Sequence, residues 1–206
     1  MRVYHACRVS VRVSLAVVVS MSLALAAAAD TKTSRFSTIS IKNFGCVNET
    51  YYRGAQPQKQ NYAELASLGI KTVIDLQRDG EADEQKMVEA NGMKFFRLPM
   101  TTTDTPDSQT TSEFLRIVND PANQPIYVHC RGGRHRTGVM TAIYRLTHDG
   151  WRPDQAYSEM QRHDFDWGFG HGALKRYVFD YFAGLEAQNS SGARESMKST
   201  AAGARN

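Results

Sequence analysis

The residues able to do covalent chemistry lie together in one stretch, Val128-His129-Cys130-Arg131-Gly132-Gly133-Arg134-His135-Arg136-Thr137-Gly138. A short apolar run, Ile126-Tyr127-Val128, precedes it, and the helix-like segment Val139 to Leu146 follows. Strand, loop and helix in that order set a row of backbone N–H groups at a helix N-terminus, which suits an anion. A thiol at the first loop position lies against those dipoles and beside guanidinium groups, and both favour thiolate over thiol. Arg136 can fork two N–H bonds onto a phosphate-like group held by the loop. A nucleophile and a bidentate anion clamp on one turn point to phosphoryl transfer through a covalent intermediate. Cys130 could instead be a small buried hydrophobe at a strand end. That reading leaves the glycines and arginines packed into the same loop unexplained.

His129-Cys130, the five residues that follow, and Arg136-Thr137-Gly138 resemble the signature loop of the cysteine-dependent protein tyrosine and dual-specificity phosphatases. The stretch Tyr52-Arg53-Gly54-Ala55-Gln56-Pro57 is similar to a segment found in many dual-specificity-like members. The resemblance implies Cys130 as nucleophile and Arg136 as the clamp on the phosphoryl oxygens. Arg131, Gly132, Gly133, Arg134 and His135 would bind the phosphate, the two glycines permitting tight turns. Thr137 could cap the following helix, but the family pattern favours a hydrogen bond to the Cys130 sulfur that eases its departure. His129 would support the loop without a chemical step of its own.

Breaking a P–O bond in neutral water calls for a general acid on the leaving oxygen and then a base for the attacking water. The family carries an Asp for this on a loop upstream of the nucleophile's strand. Asp104 and Asp107 both lie in the polar segment Met100 to Ser112. Asp104, soon after Leu98-Pro99 and set in Thr-Asp-Thr-Pro, is the better match to the family's loop, while Asp107 before Ser108 is placed to cap a helix. Asp75 sits among apolar residues and reads as structural. No metal or other cofactor is called for. His163-Asp164-Phe165-Asp166-Trp167 has metal-ligating residue types but reads as a turn between helices with solvated acids.

Two substrate classes fit. The first is phosphoprotein, chiefly phosphotyrosine with some phosphoserine or phosphothreonine. The second is a polyphosphorylated small molecule, because Arg131, Arg134 and His135 exceed what one phosphate needs. Lipid phosphatases of the superfamily also put extra basic residues in this loop. Arg134-His135-Arg136-Thr137-Gly138 is similar to the loop ending of fungal and plant inositol pyrophosphate phosphatases. A catalytically silent phosphate-binding module is the non-enzymatic alternative.

The elements that must position this loop alternate. Residues 51–57 read as a short strand, Asn61 to Leu68 as a helix stopped by Gly69, and Ile70 to Leu76 as a strand. Asp83 to Ala90 reads as an exposed helix, Met93 to Leu98 as the next strand, and Glu113 to Val118 as the start of another helix. Helices follow the loop at Val139 to His148, Pro153 to Gln161 and Leu174 to Leu185. This pattern predicts an α/β fold with a central, mainly parallel sheet flanked by helices, and a ligand site at the carboxyl ends of the strands. The resemblance implies the compact dual-specificity phosphatase fold over residues 48–185.

The ends of the 206-residue chain read differently. Residues 1–29 have the make-up of a secretory signal: Arg2, Arg8 and Arg12, then an apolar core from Val13 to Leu25, then Ala26 to Ala29. The apolar run is short for a membrane span, so the expectation is a periplasmic or secreted protein with no stable span after cleavage. Cleavage would remove three of the 25 basic residues and none of the 21 acidic, lowering the balance from +4 to about +1. A nucleic-acid partner loses its support with that change. Cys46 and Cys130 would remain, and an unpaired Cys46 is expected because a catalytic thiolate must stay reduced. Residues 30–47 read as a lead-in segment and 186–206 as a disordered tail.

Overall fold

Strand Ile126–Cys130 is buried along its whole length, as its apolar run requires of a central strand in a parallel sheet. The computed structural model describes residues 39–166 and 171–203. In chain order the elements are β1 (Gly45–Asn48), β2 (Tyr51–Ala55), α1 (Asn61–Ser67), β3 (Thr72–Gln77), α2 (Glu84–Ala90), β4 (Lys94–Met100), α3 (Ser108–Asn119), β5 (Ile126–Cys130), α4 (His135–His148), α5 (Pro153–Arg162) and α6 (Gly172–Gly203). A short 3₁₀ turn, Pro121–Asn123, separates α3 from β5. Residues from Ile41 onward form one compact unit.

The sheet order is β1-β2-β5-β3-β4. β2, β5, β3 and β4 run parallel to one another, and β1 pairs antiparallel with β2. The α/β fold with a mainly parallel sheet is therefore as expected. β1 is an addition, formed where the sequence read as a lead-in. Register aligns the strand ends: Ala55 lies opposite Cys130, and His129 pairs with both Gly54 and Asp75. Every functional loop thus leaves the same edge of the sheet.

α4 is the helix the core is built on. Its residues from Arg136 to Leu146 are buried, and Val139, Met140 and Ile143 pack with Ile74, Val128 and Phe114. α5 is fastened to α4 by Arg145, whose guanidinium reaches Glu159 at 2.6 Å and Asp149 at 2.6 Å and lies over the Trp151 ring. α2 differs from expectation: Glu84 and Val88 turn inward and are buried. α3 begins at Ser108, earlier than the apolar positions suggest, because Asp107 caps it. α6 continues to Gly203 through residues expected to form a disordered tail. That segment contains no proline, and its Ala, Glu, Arg, Met and Lys residues favour helix. Among the described residues no helix is long and apolar enough to cross a membrane. Residues 1–29, whose make-up reads as a secretory signal, lie outside the described residues.

Candidate active site

Cys130 is the last residue of β5, and Arg136 lies in the first turn of α4, so only Arg131 to Arg134 separate strand from helix. Such a short crossing needs backbone freedom. Gly133 has φ +65°, and a Cβ there would come within 2.4–2.6 Å of the Gly54 and Ala55 backbone. Any larger residue would push the loop off β2. The Gly133 carbonyl is held from behind by two donors, Arg53 Nη2 at 2.6 Å and Asn43 Nδ2 at 3.1 Å. In a trans peptide the next N–H, that of Arg134, points the opposite way. No side chain caps α4, so the first-turn amides remain available to an anion.

Cys130, Arg131, Gly132, Arg134, His135, Arg136 and Thr102 line one cavity of about 190 Å³. The Cys130 thiol and the Arg136 guanidinium, both nearly buried, therefore share one concave space. Arg136 Nη1 donates to the Met100 carbonyl at 3.2 Å. Its Nε is buried without a hydrogen-bond partner among the described residues, as is Thr137 Oγ1. Thr137 lies inside α4, whose cap position belongs to Arg134, and its expected bond to the Cys130 sulfur is not made here. Arg131 and Arg134 are exposed at the rim.

A second cavity of about 370 Å³, sharing Thr102, Arg131 and Arg136 with the first, is lined also by Arg78, Asp79 and Asp104. The Asp104 carboxylate accepts from Thr101 Oγ1 at 2.8 Å, while Asp104 N donates to Thr101 Oγ1 at 2.9 Å. Asp107 has another task. Its Oδ1 accepts from Thr110 N at 2.6 Å at the head of α3. The Thr110 N–H bond holds its carboxyl below the usual range. A carboxylate kept ionised in this way is a poor proton donor.

Four side chains at or beneath the loop were not foreseen. Asp79 lies 3.1 Å from Arg131 Nη2 and 3.7 Å from Arg136 Nη1, placing a carboxylate against both guanidinium groups. Arg53 is fully buried beneath the loop. Burial lowers its guanidinium from the usual value, and the Cys130 sulfur is among the negative groups that oppose this. Glu84 lies 2.8 Å from His129 Nε2 and accepts from Tyr62 Oη at 3.0 Å and Gln56 Nε2 at 2.9 Å. Burial alone would raise the Glu84 carboxyl, but the bonds from His129, Gln56 and Tyr62 leave it net below its usual range. Asp75, paired with Arg97 at 2.9 Å, is raised by burial and by the charge of Glu84. His129 is thus anchored in a buried acidic network behind the strand rather than on the loop backbone. Asn43 is the fourth, reached from before β1 and absent from any motif.

His135 lies at the cavity mouth, with Nε2 3.0 Å from Asp166 Oδ1 and its ring stacked 3.6 Å from His171. Burial lowers its imidazole from the usual value, and the Asp166 bond partly offsets this. His163 goes elsewhere: its Nδ1 is 3.1 Å from Asn43 Oδ1. Asp164 and Asp166 are exposed after α5, as expected, but Asp166 meets His135 and His163 meets Asn43; Trp167 lies outside the described residues.

A family model described as a DSP-PTPase phosphatase fused to NAD+ kinase matches residues 36–171. The dual specificity protein phosphatase TpbA of Pseudomonas aeruginosa is 30% identical over 119 residues, which cover 58% of this chain and 53% of that protein. The inositol diphosphatase DSP3 of Arabidopsis thaliana is 30% identical over 125 residues, 58% of this chain and 61% of that protein. The chain thus spans about half the length of TpbA. Among solved structures, the core catalytic domain of the Saccharomyces cerevisiae PP-IP phosphatase SIW14 aligns with a TM-score of 0.61 at 25% identity, over 75% of this chain and 96% of that one. A TpbA variant in complex with pTyr aligns with a TM-score of 0.54 at 25% identity, over 68% and 90%.

Proposed function

The chain belongs to the DSP-PTPase family of cysteine-dependent phosphatases, and we propose that it hydrolyses phosphomonoesters, phosphotyrosine on proteins above all and phosphoserine or phosphothreonine with it. The observation that carries this is the shared cavity of Cys130 and Arg136, with Asp104 on the adjoining one. The Cys130 thiolate attacks phosphorus while the Arg136 guanidinium binds two phosphoryl oxygens and stabilises the charge of the transition state. As the P–O bond breaks, Asp104 gives its proton to the leaving oxygen. The Asp104 carboxylate then takes a proton from water, which displaces the thiolate from the phosphocysteine and releases inorganic phosphate. The buried Thr137 hydroxyl, with no hydrogen-bond partner among the described residues, is available to the departing sulfur.

The mechanism is tested with an aryl phosphate. Cys130→Ser should abolish turnover while keeping affinity for vanadate or inorganic phosphate, and chelators should leave wild-type turnover unchanged. Activity that survived Cys130→Ser and depended on metal would reject the reading. A protein that bound phosphate but released none from any ester would be the silent module instead.

A second reading, polyphosphorylated inositols, is favoured by the exposed cations of the two cavities, Arg78, Arg131 and Arg134, and by the similarity to inositol diphosphatases. Phosphopeptide and inositol pyrophosphate turnover measured side by side decide between them. Arg134→Ala should affect mainly the inositol substrate if that reading holds. Residues 1–29 fit export of the protein to the periplasm or beyond, and N-terminal sequencing of the protein from the cell exterior would test it.

A further inference from the structure

Two imidazoles and a carboxylate converge at the mouth of the phosphate cavity from three places in the chain. His135 opens α4, Asp166 follows α5, and His171 precedes α6. One ligand atom from each lies within 4.8 Å of the others. His171 Nδ1 is 3.0 Å from the Thr102 carbonyl oxygen. That oxygen can only accept, so Nδ1 carries the proton and the lone pair is on Nε2. An imidazole whose other nitrogen donates to a carbonyl is oriented in the way metal-binding histidines are. The two rings are stacked 3.6 Å apart at 13°, an arrangement that two imidazolium cations would oppose by mutual repulsion. The neutral form of an imidazole is the one that donates electrons to a metal.

The spacing also fits. Zinc bonds to nitrogen and oxygen are about 2.0–2.2 Å, which places neighbouring ligands of a tetrahedron roughly 3.3 Å apart. His135 Nε2 and Asp166 Oδ1 are already 3.0 Å apart. On binding, His135 takes the tautomer with its proton on Nδ1, so that the Nε2 lone pair and the Asp166 carboxylate both face the ion. Two nitrogens with one carboxylate select zinc over magnesium or calcium, which prefer oxygen ligands throughout.

We propose that His135, Asp166 and His171 form a zinc-binding site at the mouth of the phosphate cavity, with a fourth position open to water. The ion ties the residues between α5 and α6 to the phosphate loop. It takes no part in the cysteine chemistry, and its binding is measured without substrate, so it stands or falls apart from the proposed activity.

The test is calorimetric titration of zinc chloride into the metal-stripped full chain, wild type and Cys130→Ser, the latter removing the loop thiolate as a competing ligand. Saturable one-to-one binding should appear in both, undisturbed by excess magnesium. Asp166→Asn and His171→Asn should each weaken it by about tenfold or more, and the His135 and His171 ring resonances should shift together in the NMR spectrum. No saturable binding to the Cys130→Ser chain would overturn the proposal. So would binding that neither Asp166→Asn nor His171→Asn weakens.

Discussion

Arg53 and Gly133, 80 residues apart in sequence, are joined by a hydrogen bond of 2.6 Å from Arg53 Nη2 to the Gly133 carbonyl. This bond holds the phosphate loop from behind and places a buried positive charge beneath Cys130. In the proposed mechanism the first aims amides at the anion in the cavity, and the second sets a positive charge beneath the site of attack.

Replacing Arg53 by Met should therefore damage chemistry more than substrate binding. A hydrogen bond from a charged group contributes about 1.5–3 kcal/mol, so kcat/KM for an aryl phosphate should fall by at least about tenfold. Alkylation of Cys130 by iodoacetamide in mildly acidic buffer should slow in parallel. Unchanged kinetics in Arg53→Met would show that the loop holds its shape without this anchor.

Asp104→Asn and Asp107→Asn should separate cleanly. Loss of a general acid costs about a hundredfold or more in kcat and removes the alkaline limb of its pH profile. That outcome is expected of Asp104→Asn. Asp107→Asn keeps an oxygen for Thr110 N and should leave the profile intact. A lost alkaline limb in Asp107→Asn would reverse the assignment.

Asp79 pairs with Arg131 and Arg136, so in the proposed mechanism it would compete with phosphate for them. The carboxylate is mostly exposed, and exposed ion pairs contribute no more than about 1 kcal/mol. Asp79→Asn should then tighten inhibition by inorganic phosphate, by up to about fivefold, with the gain shrinking as salt is raised. Weaker inhibition would mean that Asp79 helps to hold the arginines in place.

Burial brings His163 from 6.5 down to about 4. Between those values the unfolded chain binds a proton that the folded chain refuses. Stability therefore falls as pH drops from about 6.5 towards 4, and this contribution is complete above that window. The loss of melting temperature on going from neutral pH to about pH 5 should be smaller in His163→Asn than in wild type. An equal loss in both would remove His163 as a source of acid sensitivity.

That Cys130, Arg136 and residues between them would share one cavity was legible in the sequence because they are contiguous. Seven residues from Cys130 to Arg136 fold as one local unit between a strand and a helix, so spacing alone conveys geometry. The distinction between Asp104 and Asp107 was legible only in part. Both belong to one polar loop, and the decision lies in which carboxylate a helix end has already engaged. Arg53 and Glu84 were hidden for another reason. Arg53 matters because β2 pairs with β5 so that Ala55 meets Cys130. Glu84 lies in a short helix where its inward face is shared with Val88 alone, too little apolar surface to announce a buried side. His135, Asp166 and His171 were separated in the same way, since a turn between helices gives no periodicity that would bring them to the loop.

The account as a whole rests on a covalent bond between Cys130 and phosphorus. Acid quenching in the first turnover of an aryl phosphate by the wild-type chain, followed by peptide mass spectrometry, tests it most directly. The account predicts one phosphoryl group on the peptide bearing Cys130, more of it in Asp104→Asn, where a good leaving group needs no acid but water still lacks its base, and none in Cys130→Ser. Steady turnover with that peptide unmodified in both wild type and Asp104→Asn would contradict it.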